Sequence, residues 1–256
     1  MRTTVLAALI AISFSAGVLA KSPEAAPKIP SFVSAAVADP ARKDDAANDD
    51  RRKIAQLMAF SEVKPGQKVL ELIPGSGYFT RVFSAVVGPT GHVFVVWPNE
   101  YAKESESDVA ASNALSKDAH YANVSVATQP ANQLSAPEKV DLVFTSQNYH
   151  DYPDKFMGKV DPAVLNKQVF DALKPGGLFV IVDHVAEAGS GMRDTDTLHR
   201  IDPAIVKKQV EAAGFKYEGE SSVLRNPADP HNIKVFDKSI RGHTDQFVYR
   251  FRKPAG

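Results

Sequence analysis

The chain has 256 residues, 44% hydrophobic and 23% charged, which is ordinary for a globular protein and enough to bury one substantial core. Thirty Lys and Arg balance thirty Asp and Glu, so no net field draws the chain to nucleic acid or an anionic membrane, and neither partner is expected. With no cysteine, neither a disulfide framework nor lipid attachment at a cysteine is available.

Residues 1–20 open with Arg2 and continue as an apolar run that ends on small residues before Lys21. This predicts a cleaved secretory signal and a periplasmic or secreted protein. No stable membrane insertion is expected afterwards, because the run contains Ser13, Ser15 and Gly17 and is short for a spanning helix. Residues 21–48 are predicted to form a flexible to helical leader, and 49–256 the α/β domain. Asp49 and Asp50, followed by Ile54, Leu57, Met58 and Phe60 at helical spacing, predict a helix to about residue 60.

The apolar run after Lys68 predicts a buried strand, and Val82, Phe83 and Val86 an amphipathic helix that stops at Gly88-Pro89-Thr90-Gly91. Strands follow at 92–97, 123–127 and 139–146, with a polar helix at 105–115. A helix at 161–173 precedes Lys174-Pro175-Gly176-Gly177 and a strand at 178–182, and a further helix covers 203–213. Alternating segments at 217–224 and 246–251, with no convincing helix between them, predict a closing antiparallel hairpin. The β-then-α order implies a doubly wound, mostly parallel sheet.

Residues 68–80 join strand, tight turn and helix in one stretch, Lys-Val-Leu-Glu-Leu-Ile-Pro-Gly-Ser-Gly-Tyr-Phe-Thr. Gly75 and Gly77 permit positive φ and close approach of a ligand to the backbone, while the helix amides face the loop. An open α/β sheet places its ligand crevice at this end of the strand. A dinucleotide fingerprint would require glycine where Thr80 stands and an acid near Trp97, which weakens a nicotinamide reading. The stretch instead resembles the first motif of class I S-adenosyl-L-methionine (SAM)-dependent methyltransferases, here as an exported, divergent branch. The run from Leu173 to Gly177 and the closing hairpin resemble the same family. The resemblance implies an α/β, Rossmann-like seven-stranded sheet with a C-terminal antiparallel hairpin. It also implies SAM as cofactor and methyl transfer to a small-molecule acceptor. Ile73 stands where the family usually carries one more glycine.

By the same resemblance Glu71 lies at the amino-acid end of the cofactor, with Pro74, Gly75, Ser76 and Gly77 around it. Where the family places a ribose-binding acid this chain has Trp97, so Glu100 or Asn99 is expected to substitute for the acid, with Trp97 or Glu100 near the ribose and adenine and the Trp97 ring able to stack on adenine. The adenine-side acid is likewise replaced by amides at 129–133. After the fourth strand, Gln147-Asn148-Tyr149-His150-Asp151-Tyr152-Pro153 occupies the position that faces the methyl group in the family. Asn148 is assigned to the cofactor, and Tyr149 and Tyr152 to the acceptor pocket. His150 is assigned as general base, because imidazole titrates near neutral pH, with Asp151, Asp183 and His184 completing the catalytic set. His199 and Arg200 are expected at the acceptor, Arg200 as a bidentate anion ligand. The spacing of these histidines and acids matches no zinc signature, so no metal is expected. Two alternatives stay open: a noncatalytic small-molecule-binding protein on this fold, and a metal-assisted, hydrolase-like enzyme built on His150, His184 and His199.

Overall fold

The computed structural model describes residues 28–256; the predicted signal and the first part of the leader lie outside the described residues. The rest of the leader contains helix α1 (Ser31–Val37), which buries Val33 and Ala36. The helix predicted to reach residue 60 is two helices, α2 (Asp49–Arg52) and α3 (Ile54–Phe60), because Lys53 adopts a left-handed φ of 48° between them. The break lets Ile54, Leu57 and Met58 enter the core while Arg52 faces the cleft described below.

Then come β1 (Lys68–Leu72), α4 (Tyr78–Val87), β2 (His92–Pro98), α5 (Asn99–Glu104), α6 (Glu106–Leu115), β3 (Val124–Gln129) and β4 (Val140–Ser146). The chain continues through α7 (Pro162–Ala172), β5 (Leu173–His184), α8 (Thr195–Leu198), α9 (Pro203–Ala212), β6 (Lys216–Ser221) and β7 (Gln246–Arg252). Asp161 and Asp202 cap α7 and α9 by accepting from the backbone N–H of Ala163 and Ala204, each with proline at the first helical position.

The seven strands run in the order β3-β2-β1-β4-β5-β7-β6. β1 to β5 are parallel, and β7 lies antiparallel between β5 and β6. Strand order reverses at β1, with β2 on one side and β4 on the other, so the loops leaving β1 and β4 open a crevice between them. The central strands are apolar on both faces because helices cover both, which is why they read as continuous Val, Leu and Phe runs. On one face α4 buries Val82, Phe83 and Val86, with the Phe83 ring edge-on to Phe144 of β4 at 5.1 Å.

Two boundaries differ from expectation. The sixth strand ends at Ser221, so Val223 and Leu224 leave the ladder; Asp245 there accepts from the backbone of Asn226 and from the Arg225 guanidinium. β5 starts early and includes the Pro-Gly-Gly run. A Cβ on Gly177 would lie 3.1 Å from the Asp141 carbonyl of β4, and the β4–β5 register shifts between Val140 and Leu142. Among the described residues no helix is long and apolar enough to cross a membrane.

Candidate active site

The loop after β1 is built on strain. Ile73 has φ +52°, a conformation that a β-branched side chain adopts at a cost of about 1–2 kcal/mol. Its N–H donates to the Val96 carbonyl at 3.0 Å and its carbonyl accepts from the Asn148 amide at 3.1 Å, which ties the loop to β2 and to the loop that follows β4. The backbone thus makes the turn for which a glycine is expected, without the glycine. Gly75 (φ +59°) lines the cleft, and a Cβ there would meet nothing within 4 Å. Gly77 (φ +87°) is a packing glycine, since its Cβ would fall 2.9 Å from both Arg81 Nη1 and Leu115 Cδ1. Glu71 is 1% exposed and accepts from the Thr80 hydroxyl at 2.6 Å. Burial pushes its carboxyl up to about 7 against that hydrogen bond.

A cleft of about 550 Å³ opens at the carboxyl ends of β1 and β4. Glu71, residues 73–76, Asn148, His150, Asp151, His184 and His199 line it, so most of the expected residues share one space. Arg52 lines it too, although no motif or spacing marked it as a site residue. Its guanidinium lies over the Tyr78 ring at 4.7 Å and the Phe79 ring at 5.5 Å, and it makes no ion pair among the described residues. Burial, with Arg51 adding to it, makes that cation harder to hold.

On the opposite wall Trp97 lines the cleft but carries no exposed surface, and its indole N–H donates to Ser112 Oγ at 3.3 Å. It backs the wall behind Tyr101 (ring centroids 5.9 Å apart), so it does not present a free face for adenine. Glu100 is also displaced from its expected place. It sits in the first turn of α5 and accepts from the Ala131 N–H at 2.9 Å, whereas Glu104, Ser105 and Asp108 reach the cleft.

At the far end four titratable side chains converge. Asp183, fully buried at the end of β5, accepts from His150 twice, from the backbone N–H at 2.9 Å and from Nδ1 at 2.7 Å. His150 Nε2 lies 3.1 Å from Asp151 Oδ1 and 3.4 Å from His199 Nδ1, and His199 Nδ1 lies 3.6 Å from the same Asp151 oxygen. Burial opposes a charge on His150, but Asp183 and Asp151 together outweigh it and raise the imidazole well above its ordinary value. Both ring nitrogens face carboxylates, so His150 does not offer the free lone pair expected of a lone general base. His184, its Nδ1 2.8 Å from the Thr244 hydroxyl, is driven the other way, to about 3, by burial.

Three expected acceptor residues lie elsewhere. The Tyr149 hydroxyl is buried, 3.2 Å from Gln209 Oε1, and accepts from Asn166 at 2.9 Å. Tyr152 is also fully buried. Neither ring lines the cleft; burial pushes both phenols far above their ordinary range. Arg200 is completely buried and grips Asp229 with two hydrogen bonds of 2.9 and 3.0 Å, so it has no guanidinium left for an anion. The acceptor rim instead holds Tyr101, Phe156 and the exposed Phe236, whose ring packs on His199 at 4.9 Å.

The sequence pattern of the protein-L-isoaspartate(D-aspartate) O-methyltransferase family matches residues 45–212, well over half the chain. The chain belongs to that family. The matched span holds Glu71, the glycine loop and the His150, Asp151 and His199 cluster, but not Phe236. A ubiquinone/menaquinone biosynthesis C-methyltransferase, UbiE, of Vibrio parahaemolyticus is 27% identical over 165 residues, 63% of this chain and 59% of that protein. A protein-L-isoaspartate O-methyltransferase of Methanosarcina mazei is 32% identical over 130 residues, 50% of this chain and 45% of that protein. The chain thus spans less than two thirds of the length of these curated relatives. The crystal structure of a SAM-dependent methyltransferase from Aquifex aeolicus superposes with a TM-score of 0.57 at 17% identity, covering 86% of this chain and 97% of that one. The fold is the Rossmann-like methyltransferase fold, and the chain stands in the class I SAM-dependent superfamily.

Proposed function

We propose that this methyltransferase-family chain transfers a methyl group from SAM to an oxygen of a small, largely apolar acceptor, and that it does so after export. The observation that carries the reading is one continuous cleft running from Glu71 and Gly75 to the His150, Asp151 and His199 cluster. A purely binding role leaves that buried carboxylate–imidazole cluster in the cleft without a task.

The residues present fit the donor. Glu71 and the unpaired Arg52 give the cleft a carboxyl group and a cation at one end, matching an α-ammonium and an α-carboxylate. Gly75 lets the donor approach the backbone, while Tyr101, Glu104 and Asp108 supply an aromatic face and carboxylates for a nucleoside. When bound, SAM supplies a methyl carbon made electrophilic by its sulfonium. The protein's work is to align an acceptor oxygen with that carbon and to exclude water. With the acceptor so aligned, the C–O bond would form as the C–S pair returns to sulfur, and the acceptor proton would pass by way of the carboxylate–imidazole cluster to solvent. The relatives' names include both a carbon and an oxygen methyltransferase, so the choice of oxygen rests on this cluster. The pattern of residues 1–20 supports export.

Calorimetric titration of the purified protein with SAM tests the reading. Saturable binding at one site, abolished by Gly75→Val, is expected; no saturable binding defeats it.

A further inference from the structure

The cluster at the acceptor end has a geometry that spacing along the chain did not reveal. His150 Nε2, Asp151 Oδ1 and His199 Nδ1 lie 3.1, 3.4 and 3.6 Å from one another. Around a first-row divalent ion, bonds of about 2.0–2.2 Å place ligand atoms about 3.0 Å apart in an octahedron and about 3.4 Å apart in a tetrahedron. The three atoms already stand at those separations. We infer that His150, Asp151 and His199 form a binding site for one divalent transition-metal ion, with its open coordination positions facing the cleft.

Three further observations point the same way. Asp183 accepts from His150 Nδ1 at 2.7 Å, the carboxylate-behind-imidazole arrangement that fixes a ligating ring and aims its other nitrogen at a metal. Metal ligation takes neutral imidazoles, and a divalent cation then supplies the positive charge that balances the buried carboxylates of Asp151 and Asp183. His199 is held at a left-handed φ of +53°, an uncommon backbone conformation at one of the three ligand positions. Two imidazoles and one carboxylate suit zinc, iron, nickel or copper better than calcium or magnesium.

The position gives the ion a task. This part rests on the methyl-transfer reading: with His150, Asp151 and His199 holding it, the ion would supply a Lewis acid for an acceptor oxygen, whose proton would then leave to solvent through the open cleft. The aromatic rim of Phe156 and Phe236, beyond the Tyr101 ring that faces the nucleoside, then selects a ring-bearing acceptor, a phenol or an enol rather than an aliphatic amine.

The full-length protein, stripped with a chelator and dialysed, is titrated with Zn²⁺ by calorimetry and with Co²⁺ by visible absorption. One equivalent of each is expected to bind, with cobalt showing ligand-field bands. His199→Ala and Asp151→Asn should each weaken binding at least about tenfold, and Asp183→Asn by about 10- to 100-fold. His199 is a quarter exposed, so its truncation leaves the core intact, and thermal melts confirm folding of each variant. His120→Ala, which alters a histidine paired with Asp39 outside the cleft, should bind metal like the wild type. Absence of stoichiometric binding, or a His199→Ala titration that matches the wild type, overturns the inference. SAM titration of the same stripped protein keeps the two ideas apart, because loss of the metal site leaves Glu71, Arg52 and Gly75 untouched.

Discussion

Glu71→Gln exchanges a buried carboxyl for an amide of the same shape, and the structure sets both the sign and the size of the effect. Burial raises the folded-state carboxyl from its ordinary value of 4.5 to about 7. The folded protein therefore binds this proton more tightly than the unfolded chain. Its stabilising contribution is complete below the unfolded value and is lost as pH rises through about 7. Carrying the carboxyl from 4.5 to about 7 corresponds to about 3 kcal/mol lost between pH 4.5 and 8. Glutamine has nothing to titrate, so the variant should lose this slope and be the more stable protein at pH 8. Donor binding should move oppositely. A cation beside Glu71 favours its ionised form, so SAM affinity in the wild type should fall as pH drops below about 7, by up to tenfold per unit. Glu71→Gln should bind SAM more weakly at pH 8 and lose that dependence. Urea midpoints from pH 5 to 8.5 measure the first effect. Calorimetry at pH 6.5 in two buffers of different ionisation enthalpy counts the proton released on binding. Parallel stability profiles for the two proteins, or no proton release by the wild type, would refute the reasoning.

Arg52→Met should weaken SAM by about 10- to 100-fold, the loss of one charge-assisted pair, while leaving affinity for a 5′-alkylthioadenosine without the amino-acid moiety unchanged. An equal loss for both ligands, measured by competition, would place Arg52 outside the carboxylate site. Arg200→Met leaves Asp229 buried without its partner and should destabilise the fold by about 3–5 kcal/mol in urea denaturation, with SAM affinity unchanged in the folded protein. A variant as stable as the wild type but with a raised acceptor KM would return Arg200 to the substrate-binding role first assigned to it.

The sheet was legible because its inner parallel strands β1, β2, β4 and β5 are covered on both sides and so appear as largely apolar runs between turn signals, while β3 at the edge is half exposed. The donor half of the site was legible for a related reason: Glu71, Pro74, Gly75 and Ser76 sit within six residues, and one turn carries them all to the cleft. The acceptor half comes from connections far apart in the chain, after β4, after β5 and before β7, and sequence order holds no record of which side chains those connections turn inward. His199 and Arg200 show the difficulty. The left-handed backbone at His199 sends one side chain into the cleft and the next into the core against Asp229. Glu100 misled for a local reason, since α5 begins directly after β2 and its first turn faces the Ala131 turn.

Ile73 bears on the heat and entropy of ligand capture. Its torsion is fixed by a branched side chain, by Pro74 after it and by hydrogen bonds to β2 and to the loop after β4, so the loop has surrendered its freedom before any ligand arrives. A flexible glycine at that point would surrender it during binding, at roughly 1–2 kcal/mol for the residue. Association through this loop should accordingly be fast and carry a small ordering entropy, and the energy stored at one awkward isoleucine is the thermodynamic counterpart of a site already set in its working shape.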